Sequence, residues 1–202
     1  MEDAHALDVS RETLEKLEKF AGLVLKWTNK INLIAANSKE DLWNRHVVDS
    51  VQIYDHAPDG WRTWADLGSG GGFPGIVIAI LDPEARPVTL IESDQRKALF
   101  LQTARRELGL NVTVLSQRIE AVTENDFDVL TARALAPLEA LLGYAQPLMS
   151  ATGVALFPKG RRYEEELVAA RANWDFELDQ LPSITSDDSR ILRIARIAKR
   201  EF

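Results

Sequence analysis

Hydrophobic residues recur at helical spacing through the first sixty residues of the chain. Ser10 is placed to cap the first helix. The apolar positions of that helix are Leu14, Leu17, Ala21, Val24 and Ile31. The segment Ser38–Asp41 matches a capping-box pattern and predicts a second helix. Its apolar positions are Leu42, Val47, Val51 and Tyr54. Turn residues at Ala57–Gly60 then predict a boundary, with a helical N-terminal extension over residues 1–60 and a main domain over residues 61–202.

From residue 61 onward, short β-rich runs alternate with runs at helical spacing. The predicted strands are Thr63–Leu67, Val88–Ile91, Val112–Leu115, Asp128–Thr131, Val154–Phe157, Phe176–Leu181 and Leu192–Ile197. The predicted helices between them are Pro74–Leu81, Gln95–Leu108, Pro137–Leu148 and Tyr163–Asn173. This alternation is typical of a parallel sheet with helices on both faces. The last two strands have no helical run between them and predict an antiparallel edge hairpin. We therefore expect an α/β fold with a doubly wound, mostly parallel seven-stranded sheet.

Composition restricts the chemistry that the chain can perform. Of its 202 residues 46% are hydrophobic, which is enough to build a core, and none is cysteine. Disulfides and cysteine nucleophiles are therefore excluded. The acidic N-terminus has no signal-like apolar segment, and no run reaches the length of a membrane span. We expect a cytoplasmic monomer with no membrane partner.

The charge is distributed unevenly along the chain. The net charge is −7, but residues 190–202 carry five basic residues and one acidic residue, so this tail is +4 on a body of −11. Smaller basic clusters occur at Arg96-Lys97, Arg105-Arg106 and Lys159–Arg162. Taken one at a time, such clusters are usually solvated surface. Together they permit an RNA-binding face, which a uniformly acidic surface would not.

The stretch ADLGSGGGFPG, which begins at Ala65, holds five glycines between the first predicted strand and the next helix. Glycine lets the backbone approach a ligand closely, and ligands of doubly wound sheets bind beyond the carboxyl ends of the strands. Glu92 ends the second predicted strand, 24 residues after Gly68. A carboxylate there can accept hydrogen bonds from both hydroxyls of a ribose. The loop therefore predicts a nucleoside-containing cofactor.

Two cofactors fit this loop. Gly70, Gly72 and Gly75 satisfy the G-x-G-x-x-G pattern of dinucleotide-binding proteins. However, Phe73-Pro74 occupies the place where bare amides would receive a pyrophosphate, and Asp66 would put a carboxylate near it. S-adenosylmethionine has no phosphate and carries a cationic sulfonium and a cationic ammonium, which suit a neighbouring acid. We therefore predict S-adenosylmethionine as the cofactor.

Six segments in this order carry a family resemblance: NRHVVDS, DLGSGGGFPG, IESDQRK, QRIE, TARA and FPKGR. The chain resembles the RsmG (glucose-inhibited division protein B) family of bacterial methyltransferases, which act on small-subunit ribosomal RNA. The resemblance covers the chain from about residue 14 to the C-terminus. It implies a class I S-adenosylmethionine-dependent methyltransferase fold with a helical N-terminal extension. It also implies methyl transfer to N7 of a guanine in the decoding-region loop of 16S ribosomal RNA.

The resemblance implies which residues hold the cofactor. Gly68 and Gly70 would lie against its methionine part, and Phe73 would line the pocket. Glu92 would bind the ribose, although an aspartate is common in the family at that place. Ile119 and Glu120 would contact the adenine, and Arg133 matches a cofactor-site arginine. With Asp66 from the loop chemistry, the expected cofactor residues are Asp66, Gly68, Gly70, Phe73, Glu92, Ile119, Glu120 and Arg133.

A second set of residues is expected to face RNA. Taken alone, the spacing of Arg45 and Asp49 on one helix fits a surface ion pair that contributes little to stability. The resemblance instead favours a lid over the pocket that positions RNA, formed by Arg45, His46, Asp49 and Ser50. Phosphate contacts are expected from Lys159, Arg161 and Arg193 in the basic cluster and the tail.

The implied reaction needs no proton transfer, since guanine N7 presents a lone pair and carries no proton. We accordingly assign no catalytic residue and no metal ligand. Two alternatives stay open. One is an NAD-dependent oxidoreductase, for which we find no convincing Tyr-x-x-x-Lys pair. The other is a non-catalytic ribosome assembly factor that retains a cofactor fold.

Overall fold

The computed structural model describes residues 7–35 and 38–201. The helices in these residues are α1 (Arg11–Thr28), α2 (Asp49–Asp55), α3 (Gly75–Leu81), α4 (Gln95–Leu108), α5 (Leu138–Ala145) and α6 (Tyr163–Asn173). A π-helical segment, Trp43–Val48, leads directly into α2, and a 3₁₀ turn occupies Ile119–Ala121. The strands are β1 (Trp64–Leu67), β2 (Val88–Ile91), β3 (Val112–Leu115), β4 (Phe127–Ala132), β5 (Met149–Lys159), β6 (Trp174–Pro182) and β7 (Arg190–Lys199).

The strands of the described residues form one seven-stranded sheet in the order β3-β2-β1-β4-β5-β7-β6. Strands β1 to β5 pair in parallel, and β7 is antiparallel to both β5 and β6. The direction of winding reverses between β1 and β4, which leaves a crevice at the carboxyl ends of these two strands. The predicted sheet, mostly parallel with an antiparallel edge hairpin, is confirmed.

The observed elements differ from the sequence predictions mainly at their ends. Strands β5, β6 and β7 are longer than predicted, because pairing continues beyond the apolar runs. At the start of β5 this pairing is parallel, between Met149 and Phe127 of β4, and elsewhere it is antiparallel. Lys159 pairs with Arg190 between β5 and β7, and Trp174 pairs with Lys199 between β6 and β7. The second predicted helix begins as the π-helical segment rather than as a regular α-helix.

Helices α1 to α4 cover one face of the sheet. Leu17 and Phe20 of α1 belong to the same buried cluster as Ile76 of α3 and Phe100 of α4. The N-terminal helix therefore packs onto the main domain, and the boundary at residue 60 stays a prediction. Helices α5 and α6 cover the other face. In the part of the chain that the structure describes, no helix is long and apolar enough to cross a membrane.

Candidate active site

The glycine loop leaves β1 and crosses the end of the sheet before α3. Gly68 has a φ of +65°, and a Cβ there would lie 2.6 Å from Leu135 Cδ1, so a larger residue would strain the backbone and displace Leu135. The Gly70 N–H donates to Glu92 Oε2 at 2.8 Å, and the Ser69 N–H donates to the Ile91 carbonyl at 3.0 Å. These two bonds hold the loop against the end of β2.

Glu92 follows β2 and is 7% exposed. Its Oε1 accepts the Asp94 N–H at 2.7 Å, while Oε2 accepts the Gly70 N–H. Two backbone donors thus fix the carboxylate, and each oxygen keeps a second lone pair. Glu92 is therefore preorganised to accept hydrogen bonds from ligand hydroxyls.

A cavity of about 390 Å³, here called the glycine-loop cavity, opens beside these residues. Its lining includes six of the predicted cofactor residues: Gly68, Gly70, Glu92, Ile119, Glu120 and Arg133. They follow β1, β2, β3 and β4, whose carboxyl ends meet at this edge of the sheet. The other two predicted cofactor residues, Asp66 and Phe73, are not in its lining.

Asp66 lies inside the protein, with no exposed surface. Its Oδ1 accepts the Thr131 hydroxyl at 2.8 Å, and its Oδ2 accepts the Gly75 N–H at 3.3 Å. Burial raises the pKa of Asp66 to about 6, against the opposing effect of its hydrogen bonds to Thr131, Ser69 and Gly75. The carboxylate therefore fastens the start of α3 to β4, one layer behind the cavity that we expected it to line.

Phe73 is also buried, at 5% exposure. Its ring lies between two others, 5.0 Å from the Phe20 ring and 5.0 Å from the His46 ring, which is nearly parallel to it. Phe73 also lies behind a cavity residue, since the Arg133 guanidinium is 5.4 Å from the centroid of its ring.

Arg133 follows β4 and is held by the segment that precedes α2. Its Nη1 donates to the Arg45 carbonyl at 3.0 Å and to Asp49 Oδ2 at 3.3 Å, and its Nη2 contacts His46 Nδ1. Burial lowers the pKa of Arg133 from its usual value and the Asp49 carboxylate opposes this, so the guanidinium stays charged. The spacing taken alone fitted an ion pair between Arg45 and Asp49, but Asp49 pairs with Arg133 and Arg45 pairs with Asp41.

His46 is neutral in this arrangement. Burial, with a further contribution from the charges of Arg133 and Arg45, lowers its pKa to about 4. Because Arg133 can only donate, Nδ1 must accept and Nε2 carries the proton. Nε2 is buried and has no hydrogen-bond partner among the described residues.

A second cavity of about 730 Å³, here called the β4–β5 cavity, lies next to the first. The two cavities share the segment from Arg133 to Ala136 as a wall. The basic residues that line the second cavity are Arg133, Lys159, Arg162 and Arg190. Two separate spaces therefore meet at the carboxyl end of β4.

Comparison with known proteins identifies the family. A family model described as rRNA small subunit methyltransferase G matches residues 13–192. The chain belongs to this family. The ribosomal RNA small subunit methyltransferase G of Ruegeria sp. (strain TM1040) is 50% identical over 196 residues, which cover 96% of this chain and 95% of the relative. The resemblance carried by the sequence motifs is confirmed.

Solved structures with little sequence similarity share the fold of this methyltransferase. A ribosomal protein L11 methylase from Lactobacillus delbrueckii subsp. bulgaricus matches with a TM-score of 0.61 at 16% identity, covering 75% of this chain and 78% of its own. A SAM-dependent methyltransferase from Aquifex aeolicus matches with a TM-score of 0.61 at 12% identity, covering 87% and 98%. The class I methyltransferase fold is confirmed. Neither the oxidoreductase nor the non-catalytic alternative is supported.

The residues expected to face RNA in this methyltransferase have different surroundings. Ser50 is fully buried and its hydroxyl donates to the His46 carbonyl at 2.6 Å, so it stabilises the helix from inside. The Lys159 ammonium is internal too, 2.8 Å from both Glu166 Oε2 and the Ala136 carbonyl. Arg161 is exposed and 3.8 Å from Asp188, and Arg193 pairs with Asp179 at 3.0 Å on the edge hairpin.

Sequence reasoning missed three residues that line the β4–β5 cavity, namely Leu135, Arg162 and Arg190. Arg162 belongs to the basic cluster that we identified, but the cluster alone does not show which of its members faces a cavity. Arg190 enters the β4–β5 cavity because β7 pairs antiparallel to β5, opposite Lys159. Leu135 lines both cavities and packs on Gly68, a contact that no local pattern predicts.

Proposed function

We propose that this protein transfers the methyl group of S-adenosylmethionine to N7 of a guanine in the decoding-region loop of 16S ribosomal RNA. Membership of the rRNA small subunit methyltransferase G family supports the reaction class and the substrate. One structural observation carries the assignment of sites, namely that the glycine-loop cavity and the β4–β5 cavity share the wall from Arg133 to Ala136. A methyl donor in the first cavity and a base in the second would meet at that wall.

The residues around the glycine-loop cavity fit the cofactor. Its volume of about 390 Å³ lies within the range of small-ligand sites. Glu92 would accept hydrogen bonds from the ribose hydroxyls, and Ile119 supplies an apolar surface for the adenine. Gly68 and Gly70 leave the backbone open to the methionine part. The fit to S-adenosylmethionine therefore rests on the chemistry of residues that line a single cavity, the glycine-loop cavity.

When bound, S-adenosylmethionine supplies an electrophilic methyl group on a sulfonium. Guanine N7 has a lone pair and no proton, so no residue must act as a general base. The contribution of the protein would be placement: the residues of the shared wall would orient the base towards the cofactor and exclude water, effects worth about several kcal/mol of a barrier. Arg133, fixed by Asp49, His46 and the Arg45 carbonyl, is the charged group at that wall.

RNA would be held by basic residues around the β4–β5 cavity. Arg162 and Arg190 line it, and Arg161 is exposed next to it in the chain. Arg45, exposed on the π-helical segment, would contribute from the opposite side of Arg133. We also propose that residues 1–60 act as an extension whose Trp43–Val48 segment holds Arg133 at the shared wall. Action as a cytoplasmic monomer belongs to the same proposal.

The test uses small ribosomal subunits purified from cells that lack this methylation. We expect the wild-type protein with S-adenosylmethionine to add one methyl group, and nuclease digestion with mass spectrometry to locate it as 7-methylguanine in the decoding-region loop. Calorimetric titration should show binding of S-adenosylmethionine but not of NAD. Cofactor binding without methyl transfer would favour the assembly-factor alternative, and methylation at another atom would contradict the proposed chemistry.

A further inference from the structure

Gln52 is a buried polar residue of α2 whose amide oxygen and nitrogen are both hydrogen-bonded. It is 3% exposed. Its Oε1 accepts the Ile184 N–H at 2.9 Å, and its Nε2 donates to Asp49 Oδ1 at 2.8 Å and to the Ser183 hydroxyl at 3.2 Å. A backbone N–H can only donate and a carboxylate can only accept, so these partners fix the orientation of the amide. Gln52 therefore ties the loop between β6 and β7 to Asp49.

Asp49 receives donors from three elements. Besides Gln52, the Thr185 hydroxyl donates to Oδ1 at 2.9 Å, and Arg133 Nη1 donates to Oδ2 at 3.3 Å. The Asp49 and Arg133 side chains are each 17% exposed, so the ion pair is largely shielded from water. With one oxygen held by α2 and the β6–β7 loop, the other oxygen is directed at Arg133. Asp49, which we expected to face RNA, lines the β4–β5 cavity and at the same time pairs with this guanidinium.

The guanidinium has five N–H donors. Three of them are engaged by the Arg45 carbonyl, His46 Nδ1 and Asp49. The other two have no protein partner among the described residues, and Arg133 lines both cavities. The restrained donors determine where the remaining two lie. The position of Asp49 therefore sets the position of the donors available to a ligand.

We infer that Gln52 and Asp49 are positioning residues for methyl transfer, because they hold Arg133 at the wall between the cofactor and the RNA base. The inference rests on the proposed function. It adds a role for Gln52, which lines neither the glycine-loop cavity nor the β4–β5 cavity. Ser183 lines the β4–β5 cavity, so the β6–β7 loop that borders the RNA side is the loop that fixes Asp49. RNA bound in the β4–β5 cavity would therefore contact the loop whose hydrogen bonds fix Asp49 and, through Asp49, Arg133.

The test is a double-mutant cycle between Gln52→Leu and Arg133→Met, read as the single-turnover methylation rate at saturating cofactor and ribosomal subunits. Gln52→Leu alone should lower this rate about tenfold, because a small misplacement of a wall residue is costly. In the Arg133→Met background the same change should cost less than about twofold, since the residue through which Gln52 acts is absent. Equal losses in both backgrounds would overturn the inference.

Tyr54→Phe is the matched control, because it removes one hydrogen bond from the same helix, to Asp82 at 3.3 Å, away from Arg133. We expect its rate to stay within about twofold of the wild type. Thr185→Val removes a second donor to Asp49 from an exposed position and should slow transfer while folding normally. If Gln52→Leu does not fold, Thr185→Val replaces it in the cycle, and an unchanged rate for a folded Thr185→Val would overturn the inference.

A readout independent of activity is the nuclear magnetic resonance spectrum of the Arg133 Nη protons. A restrained guanidinium gives resolved signals, which Arg133→Met would assign by their loss. Gln52→Leu should broaden or merge them while Tyr54→Phe leaves them intact, and unchanged signals in Gln52→Leu would contradict the inference. An inactive wild-type protein would contradict the proposed function and, with it, this inference. An active wild type with equal losses in the cycle contradicts the positioning role alone.

Discussion

Gly68 and Gly60 have nearly the same backbone conformation, with φ of +65° and +70°, but different surroundings. A Cβ at Gly68 would meet Leu135 at 2.6 Å beside the glycine-loop cavity, whereas a Cβ at Gly60 meets nothing within 4 Å. Both Gly→Ala changes should cost about 1 kcal/mol through backbone strain. We expect only Gly68→Ala to weaken S-adenosylmethionine binding, by about tenfold or more, as measured by calorimetry. Equal affinities in the two variants would contradict the assignment of this cavity to the cofactor.

Asp66 gives a pH dependence of stability with a definite sign. Its folded-state pKa of about 6 lies above the ordinary aspartate value of 3.8, so Asp66 favours the folded state at low pH and this contribution is lost as pH rises through about 6. The free energy of unfolding of the wild type, minus that of Asp66→Asn, should therefore fall between about pH 4 and pH 6 and stay constant above about pH 7. The expected change is on the order of 3 kcal/mol. Urea unfolding of both proteins across this pH range measures the difference. If the free energies of unfolding of the two proteins changed in parallel with pH, Asp66 would ionise with no loss of stability, against this prediction.

At the scale of elements, residue spacing predicts the features that depend on residues close together in the chain. The glycine loop, Glu92 after β2 and the alternation of strands and helices follow from residue spacing, so they could be read from the sequence. The Trp43–Val48 segment could not, because its wider π-helical turn depends on how it packs against Phe73 and Arg133. That wider turn directs the Arg45 carbonyl, His46 and Asp49 at one guanidinium and turns Ser50 inward.

The contact of Lys159 with Glu166, seven residues later in the chain, is another feature that the sequence did not reveal. Lys159 holds the Ala136 carbonyl, and Glu166 accepts the Leu138 N–H at 2.7 Å, so the pair fixes the start of α5 beside the shared wall. We expect Lys159→Met to lower the free energy of unfolding by about 1–3 kcal/mol, because Glu166 loses its charged partner. Arg161→Met, which removes a charge from an exposed pair, should change it by less than about 0.5 kcal/mol. Chemical denaturation compares them, and equal stabilities would favour an RNA-contact role for Lys159 instead.

For the whole molecule, the distribution of charge decides where RNA can bind. The positive tail is largely compensated, because Arg193, Arg196 and Arg200 pair with Asp179, Glu177 and Asp175 across the edge hairpin. Arg162 and Arg190 line the β4–β5 cavity. Replacing both with glutamine should reduce the slope of log affinity against log salt by about two, one for each phosphate contact. Arg196→Gln, which removes one positive charge from an exposed side chain, should leave the slope of RNA binding unchanged. A reduction of the slope by about one in Arg196→Gln would place the RNA on the hairpin.

The central claim is that the protein transfers a methyl group by placement, without a general base. His46, with a pKa of about 4, stays neutral above about pH 7, and Asp66, with a pKa of about 6, is ionised there. The most direct measurement is the single-turnover rate of methylation of small ribosomal subunits between about pH 7 and pH 8.5. We predict a nearly flat profile, because guanine N7 gives up no proton. A rate that rises about tenfold per pH unit, and falls to background when one His, Asp or Glu is removed, would contradict the claim.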